Sequence, residues 1–302
     1  MSAMRKTPGN LRGIAAMLAA VFVFAIMDAS IKHLSHGYGV FQIACLRCVS
    51  SIIFMIVPMA LMGSWRVLRP ANPFLHVARA VLGVTMLATF VYAVRHLSLA
   101  ETYSLFLCAP LLVTALSVPL LGERVPLRRW VSVAVGLGGV LLMLRPSTTG
   151  LVSLAGAAAA AAALCYAISV LTVATLGRTN SSAAMVVWFL LLVGLGAGIL
   201  AVRDWRAVAP ADWAWFAVIG VSGALGQYGI TEAFRRASAS VVAPFEYSSI
   251  LWAFTIDWVF WSVAPSEPVV LGSAIVIACG LFIIWDERRL AGLAFTAASP
   301  PP

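Results

Sequence analysis

Val242-Ala243-Pro244-Phe245-Glu246-Tyr247-Ser248-Ser249 opens an apolar run that continues to Trp261. A carboxylate, a proline and a tyrosine stand together where a membrane helix is ordinarily uniform. In hydrocarbon an ionisable side chain costs about 2.5–3.5 kcal/mol on the mildest scale, so Glu246 needs a protein partner or a water-filled cavity. Pro244 removes a backbone donor, and the carbonyl it frees must be satisfied by neighbours or water. A similar segment, Tyr103-Ser104-Leu105-Phe106-Leu107-Cys108-Ala109-Pro110, lies about 140 residues earlier. Two interruptions so spaced point to a duplicated membrane architecture.

The composition around them agrees. Of 302 residues, 62% are hydrophobic and only 10% charged, with a mean hydropathy of +0.99. Soluble domains carry roughly 25% charged residues, and one soluble core could not hide this much apolar surface. The net charge of +9 does not indicate nucleic-acid binding, because the basic residues are scattered between apolar runs. About 20 apolar residues cross a bilayer. On that rule the chain holds ten spans, at 13–34, 40–62, 74–95, 99–121, 128–145, 151–174, 181–201, 213–234, 238–262 and 269–285. Residues 1–12 form a short lead, and residues 286–302 a tail expected to be disordered beyond Leu290.

Lysine and arginine set the orientation. Fourteen of them, Arg79 included, fall on the side of both termini, five (Lys32, Arg95, Arg145, Arg203 and Arg206) on the other, and Arg47 stands alone inside a span. Both termini are therefore expected in the cytoplasm. Trp65, Trp130, Trp205, Trp213, Trp258 and Trp285 sit near span ends, as interfacial aromatics do.

Ten spans divide into two fives, 13–145 and 151–285, and the halves echo each other. Leu11-Arg12-Gly13 matches Leu154-Ala155-Gly156, Ala93-Val94-Arg95 matches Ala233-Phe234-Arg235, and Gly139-Val140-Leu141-Leu142 matches Gly280-Leu281-Phe282-Ile283, at offsets of 140 to 143. Five being odd, the second half enters from the opposite side. The expected fold is an all-α membrane protein of ten transmembrane helices, two inverted five-helix repeats around a central cavity, the plan of secondary transporters.

The Leu46-Arg47 pair, the Ala93–Pro110 segment, Gly122-Glu123-Arg124 and the Gly139 block resemble the drug/metabolite transporter superfamily, specifically its ten-helix EamA-type carriers. The pattern departs near Ile250, where no proline matches Pro110, and at Ser266-Glu267, which replaces Gly-Glu. The resemblance implies a cavity lined by spans one, three, four, six, eight and nine, with five and ten peripheral. Within the family the aromatic-rich spans look like a bacterial exporter of amino acids, aromatic ones included.

Candidate substrate-binding residues follow from what is anomalous in apolar helices. Five tyrosines, Tyr92, Tyr103, Tyr166, Tyr228 and Tyr247, lie inside spans, where a phenol wants a hydrogen-bond partner; helix–helix bonding is their plainer explanation. Glu246 can contact a substrate ammonium, take up a proton, or pair with Arg235 or Arg236. Asp257 stands eleven residues on, on the same face. Trp252 is a stacking wall or lipid-facing bulk, and the Gln227 amide can address a carboxylate or an amine. Asp28 and Lys32, four apart, form a local ion pair or a gate against Arg47. The four histidines form no metal or acid–base cluster, which argues against a membrane enzyme. No cofactor or metal is expected; the partners are a small-molecule substrate and the bilayer, with a monomer the simpler state. A proton-coupled exporter of drugs or quaternary ammonium compounds is the main alternative, ahead of a nucleotide-sugar carrier, whose phosphates want more deep basic residues than Arg47.

Overall fold

Pro110 and Pro244 divide two of the ten spans, and the remaining eight are single helices. The computed structural model describes residues 7–61, 68–97, 99–144, 153–262 and 266–298. In order the helices are α1 (Thr7–Leu34), α2 (Val40–Leu61), α3 (Pro73–His96), α4 (Leu99–Phe106), α5 (Ala109–Leu121), α6 (Leu127–Leu144), α7 (Leu154–Leu176), α8 (Ser182–Ala201), α9 (Trp213–Arg236), α10 (Ala239–Val242), α11 (Ser248–Trp261) and α12 (Glu267–Ala298). Span four is α4 and α5 with a break at Leu107-Cys108. Span nine is α10, a 3₁₀ turn over Ala243–Tyr247, and α11. Each proline sits at the start of the segment after the break, where its missing N–H is least costly.

Local chemistry fixes the ends. Asn72, Ser153 and Ser181 cap α3, α7 and α8, each side chain accepting a backbone N–H three residues on. Gly122 closes α5 at φ 67, a left-handed cap that glycine adopts without strain. One expectation is corrected. The tail does not leave the helix at Leu290: α12 runs on to Ala298, through an Ala/Leu-rich stretch of good helix formers.

The packing has the symmetry that the repeat demands. α1 packs on α9 and α3 on α7, pairs exchanged by inversion; α2 packs on α8 and α6 on α12, each against its own counterpart. The crossed pairs α2–α9 and α3–α8 obey the same rule, as do α5–α7 and α1–α11. Among the described residues nine segments are long and apolar enough to cross a membrane. The tenth span, α9, falls short of that mark because glycines and polar residues dilute it. Its glycines have a packing purpose. A Cβ on Gly220 would meet Ser50 at 2.6 Å, on Gly223 Ser51 at 2.6 Å, on Gly226 the Phe24 ring at 2.6 Å and on Gly229 Ala20 at 2.9 Å. A side chain at any of the four would push α9 off α1 or α2.

Candidate functional site

The interrupted turn of span nine places Glu246 half-buried among apolar side chains. The Tyr166 side chain of α7 lies beside its carboxylate, whose Oε1 is buried with no partner. Arg235 and Arg236, the sequence-level candidates for pairing with Glu246, are both taken by Glu232, which Ser182 also binds. Glu246 is thus left for something else.

From Tyr166 a ladder of rings leads to a second pair of charges. Phe106 stands 5.7 Å from Tyr166, Phe90 5.2 Å from Phe106, and Tyr103 packs edge-on 5.6 Å from Phe90. The Asp28 charge acts on Tyr103 and the Arg47 charge on Asp28. Asp28 lies six residues from the end of α1, about 9 Å along the axis. Arg47 lies seven residues into α2, with its Nε buried and unpartnered. Lys32 is exposed one turn beyond Asp28. Gln227, 7% exposed, is one turn along α9 from Gly223, whose face abuts the Arg47 stem.

One residue escaped the sequence reading. Arg79 counted there among the basic residues at the ends of spans, yet it is 2% exposed inside α3. Its Nη1 donates to the Met185 carbonyl at 3.2 Å, its guanidinium lies over the Phe189 ring at 4.4 Å, and its Nε has no acceptor. Its charge acts on Tyr166. Among the described residues no carboxylate lies within ion-pair distance of it. The available signal was position: Arg79 is six residues past the Pro73 helix start, beyond the interfacial turn.

Asp28, Arg47, Tyr103, Tyr166 and Glu246 are therefore joined by one path, and the other candidates lie elsewhere. Tyr92 turns away from Phe90 and stacks on His96 at 4.4 Å. Tyr228 belongs to the exposed stripe of α9 with Val221 and Leu225. Tyr247 points the other way from Glu246: its ring fills the space beside Gly136 of α6, and its hydroxyl is buried without a partner. Behind it an apolar groove of about 530 Å³ runs between α6 and α12, away from the charged path. Trp252 packs edge-on against Phe22 at 4.7 Å, at the seam of α1 and α11. The Asp257 side chain lies outside the described residues.

Exposure falls along the path. Asp28 and Tyr103 are open, Tyr166 and Glu246 half-buried, Arg79 and Val242 sealed. The sealed end is a polar latch. From the loop after Gly122, Glu123 accepts the Ala239 and Ser240 N–H groups at 2.8 and 3.2 Å and the Ser240 hydroxyl at 2.7 Å, capping α10. Arg129 pairs with Glu287, which also accepts the Asn10 amide at 2.7 Å, and Asn10 accepts the Ser238 N–H at 3.1 Å. Arg128 pairs with Asp286 at 2.8 Å. The start of α1, the Asp286-Glu287 turn of α12 and the start of span nine are thus fastened together.

A path open at one end and latched at the other, built on inverted repeats, is the anatomy of a carrier. Residues 11–145 match the EamA-like transporter family. That stretch, the first of the two repeats, is similar to the EamA-like transporters. The likeness to curated members extends well past that stretch. A pseudopaline exporter of Pseudomonas aeruginosa is 29% identical over 271 residues, 88% of this chain and 94% of that protein. A riboflavin transporter of Vibrio cholerae is 27% identical over 92% of this chain and 95% of its own length. An S-adenosylmethionine uptake transporter of Rickettsia prowazekii is 24% identical over 92% and 94%. A solved crystal structure superposes with a TM-score of 0.80, covering 94% of this chain and all of the other at 18% identity, which speaks for the fold alone. The chain is a multi-pass membrane protein, similar over most of its length to transporters of small molecules.

Proposed function

We propose that this transporter exports amino acids, aromatic and other small neutral ones, and related metabolites from the cytoplasm of a bacterial cell by alternating access across the inner membrane. Both termini and the latched end face the cytoplasm in this reading, as the arginine distribution favours. One observation carries it. Asp28, Arg47, Arg79 and Glu246 are set in apolar helices, none forms an ion pair with another of them, and a ladder of aromatic rings runs between them. Two guanidiniums and two carboxylates that do not neutralise one another suit a zwitterion, and the rings suit an aromatic side chain. Relatives named for riboflavin and S-adenosylmethionine are in keeping with flat, partly charged cargo.

The test is uptake of labelled phenylalanine, threonine and a quaternary ammonium dye into proteoliposomes, with and without a pH gradient. Saturable phenylalanine flux that ignores the gradient is the expected result. A second reading, a proton-coupled drug exporter, draws on the unpaired Glu246 Oε1. Dye movement that needs the gradient, with no amino-acid flux, would establish that reading instead.

A further inference from the structure

Arg79 is the group whose placement the fold does not explain. A guanidinium buried without a counter-charge is expensive, and an apolar residue of similar volume would pack α3 against α8 at less cost. Its stem already lies against Phe189, and the contacts one turn on, Gly83 on Phe189 and Val193, are apolar. Of five donors it gives one to the Met185 carbonyl, and Nε points at nothing. The planar fork of arginine is built to hold a carboxylate through two parallel bonds, and here its Nε edge is unspent. Its location is equally specific. It stands beside Tyr166 and is sealed from the surface, unlike Asp28 and Tyr103 at the open end.

We propose that Arg79 is the carboxylate-binding residue of the latched, cytoplasmic side of the path, taking the anionic group of a zwitterionic substrate while the Tyr166–Glu246 pair receives its ammonium. This rests on the amino-acid reading above and adds to it a residue and a role. The substrate is then gripped at both charges before the latch closes, and Asp28 and Arg47 offer the equivalent pair of charges on the open side. In the present conformation the guanidinium is parked on the Met185 carbonyl and the Phe189 face.

The experiment compares binding of phenylalanine and phenylalaninamide, which keeps the ammonium and the ring but lacks the carboxylate, to the purified full-length protein and to Arg79→Gln and Arg79→Lys. Arg79→Gln is expected to weaken phenylalanine binding roughly ten- to a hundredfold, the range for a lost charge-assisted bond, and to shift phenylalaninamide less than twofold. Arg79→Lys, keeping charge but not the fork, should fall between. Equal losses for both ligands, or no loss for either, overturn the assignment. So does recovery of an equal loss by adding Glu246→Gln, which makes Arg79 a counter-ion to Glu246. If the unaltered protein binds phenylalanine and its amide equally well, the amino-acid reading stands and Arg79 loses its role. If it binds neither, both fall together.

Discussion

Tyr247 and Glu246 are neighbours with opposite fates. The 3₁₀ turn sends the carboxylate to Tyr166 and the phenol to Gly136, so only one of the two lies beside the ladder of rings. Tyr247→Phe is therefore expected to leave phenylalanine flux unchanged. It should raise the thermal unfolding temperature in detergent, because a buried hydroxyl without a partner costs about 1–3 kcal/mol. A loss of flux would return Tyr247 to the path. On the other side of the turn, Tyr103→Ala removes the ring that packs on Phe90 at the open end. It is expected to raise KM for phenylalanine by about fivefold and that for threonine by less than twofold, an aromatic pair being worth about 0.5–1.5 kcal/mol. Equal changes for both substrates would mean that the ladder acts on the fold and not on the cargo.

At the scale of the helix, the glycines of α9 allow a matched comparison. Gly226→Val forces a branched side chain into the Phe24 ring 2.6 Å away, whereas Gly138→Ala of α6 has nothing within 4 Å. The first is expected to lower the unfolding temperature sharply, overpacking costing about 1–3 kcal/mol, and the second to raise it by up to about 1 kcal/mol of helix propensity. Spans, breaks and the repeat were legible in the sequence because length, proline position and offset report them directly. The direction of side chains was not. In a helix that is apolar all round, periodicity carries no face, so Tyr92 and Tyr228 read like Tyr103 and Tyr166 although only the latter two join the Phe90–Phe106 ladder. Arg79 was missed for a related reason: a count of basic residues near span ends does not separate an arginine that reaches the interface from one that α8 covers. Gly122-Glu123, by contrast, is legible as a pattern in the sequence, and the structure shows what it does. The left-handed glycine turns the chain so that Glu123 can cap α10.

For the whole molecule, one end is held by charges that are themselves buried. Glu287→Gln leaves Arg129 without its carboxylate, and removing one member of a buried pair costs about 3–5 kcal/mol. That cost falls on the latched conformation alone, so the population should move toward the opposite one. Spin labels at the exposed Arg124 and Arg236 would report it as a longer distance between them in Glu287→Gln. An unchanged distribution would make the latch a structural tie and not a moving part. The same architecture bears on how the protein is made. α9 is the span least able to partition into lipid by itself, yet it is wedged against α1, which leaves the ribosome well before it. Membrane insertion of α9 then depends on α1 waiting beside the translocon as its template. A fragment beginning at residue 153 should thread its spans with α9 left outside the bilayer, and co-expressing residues 1–144 should draw it back in.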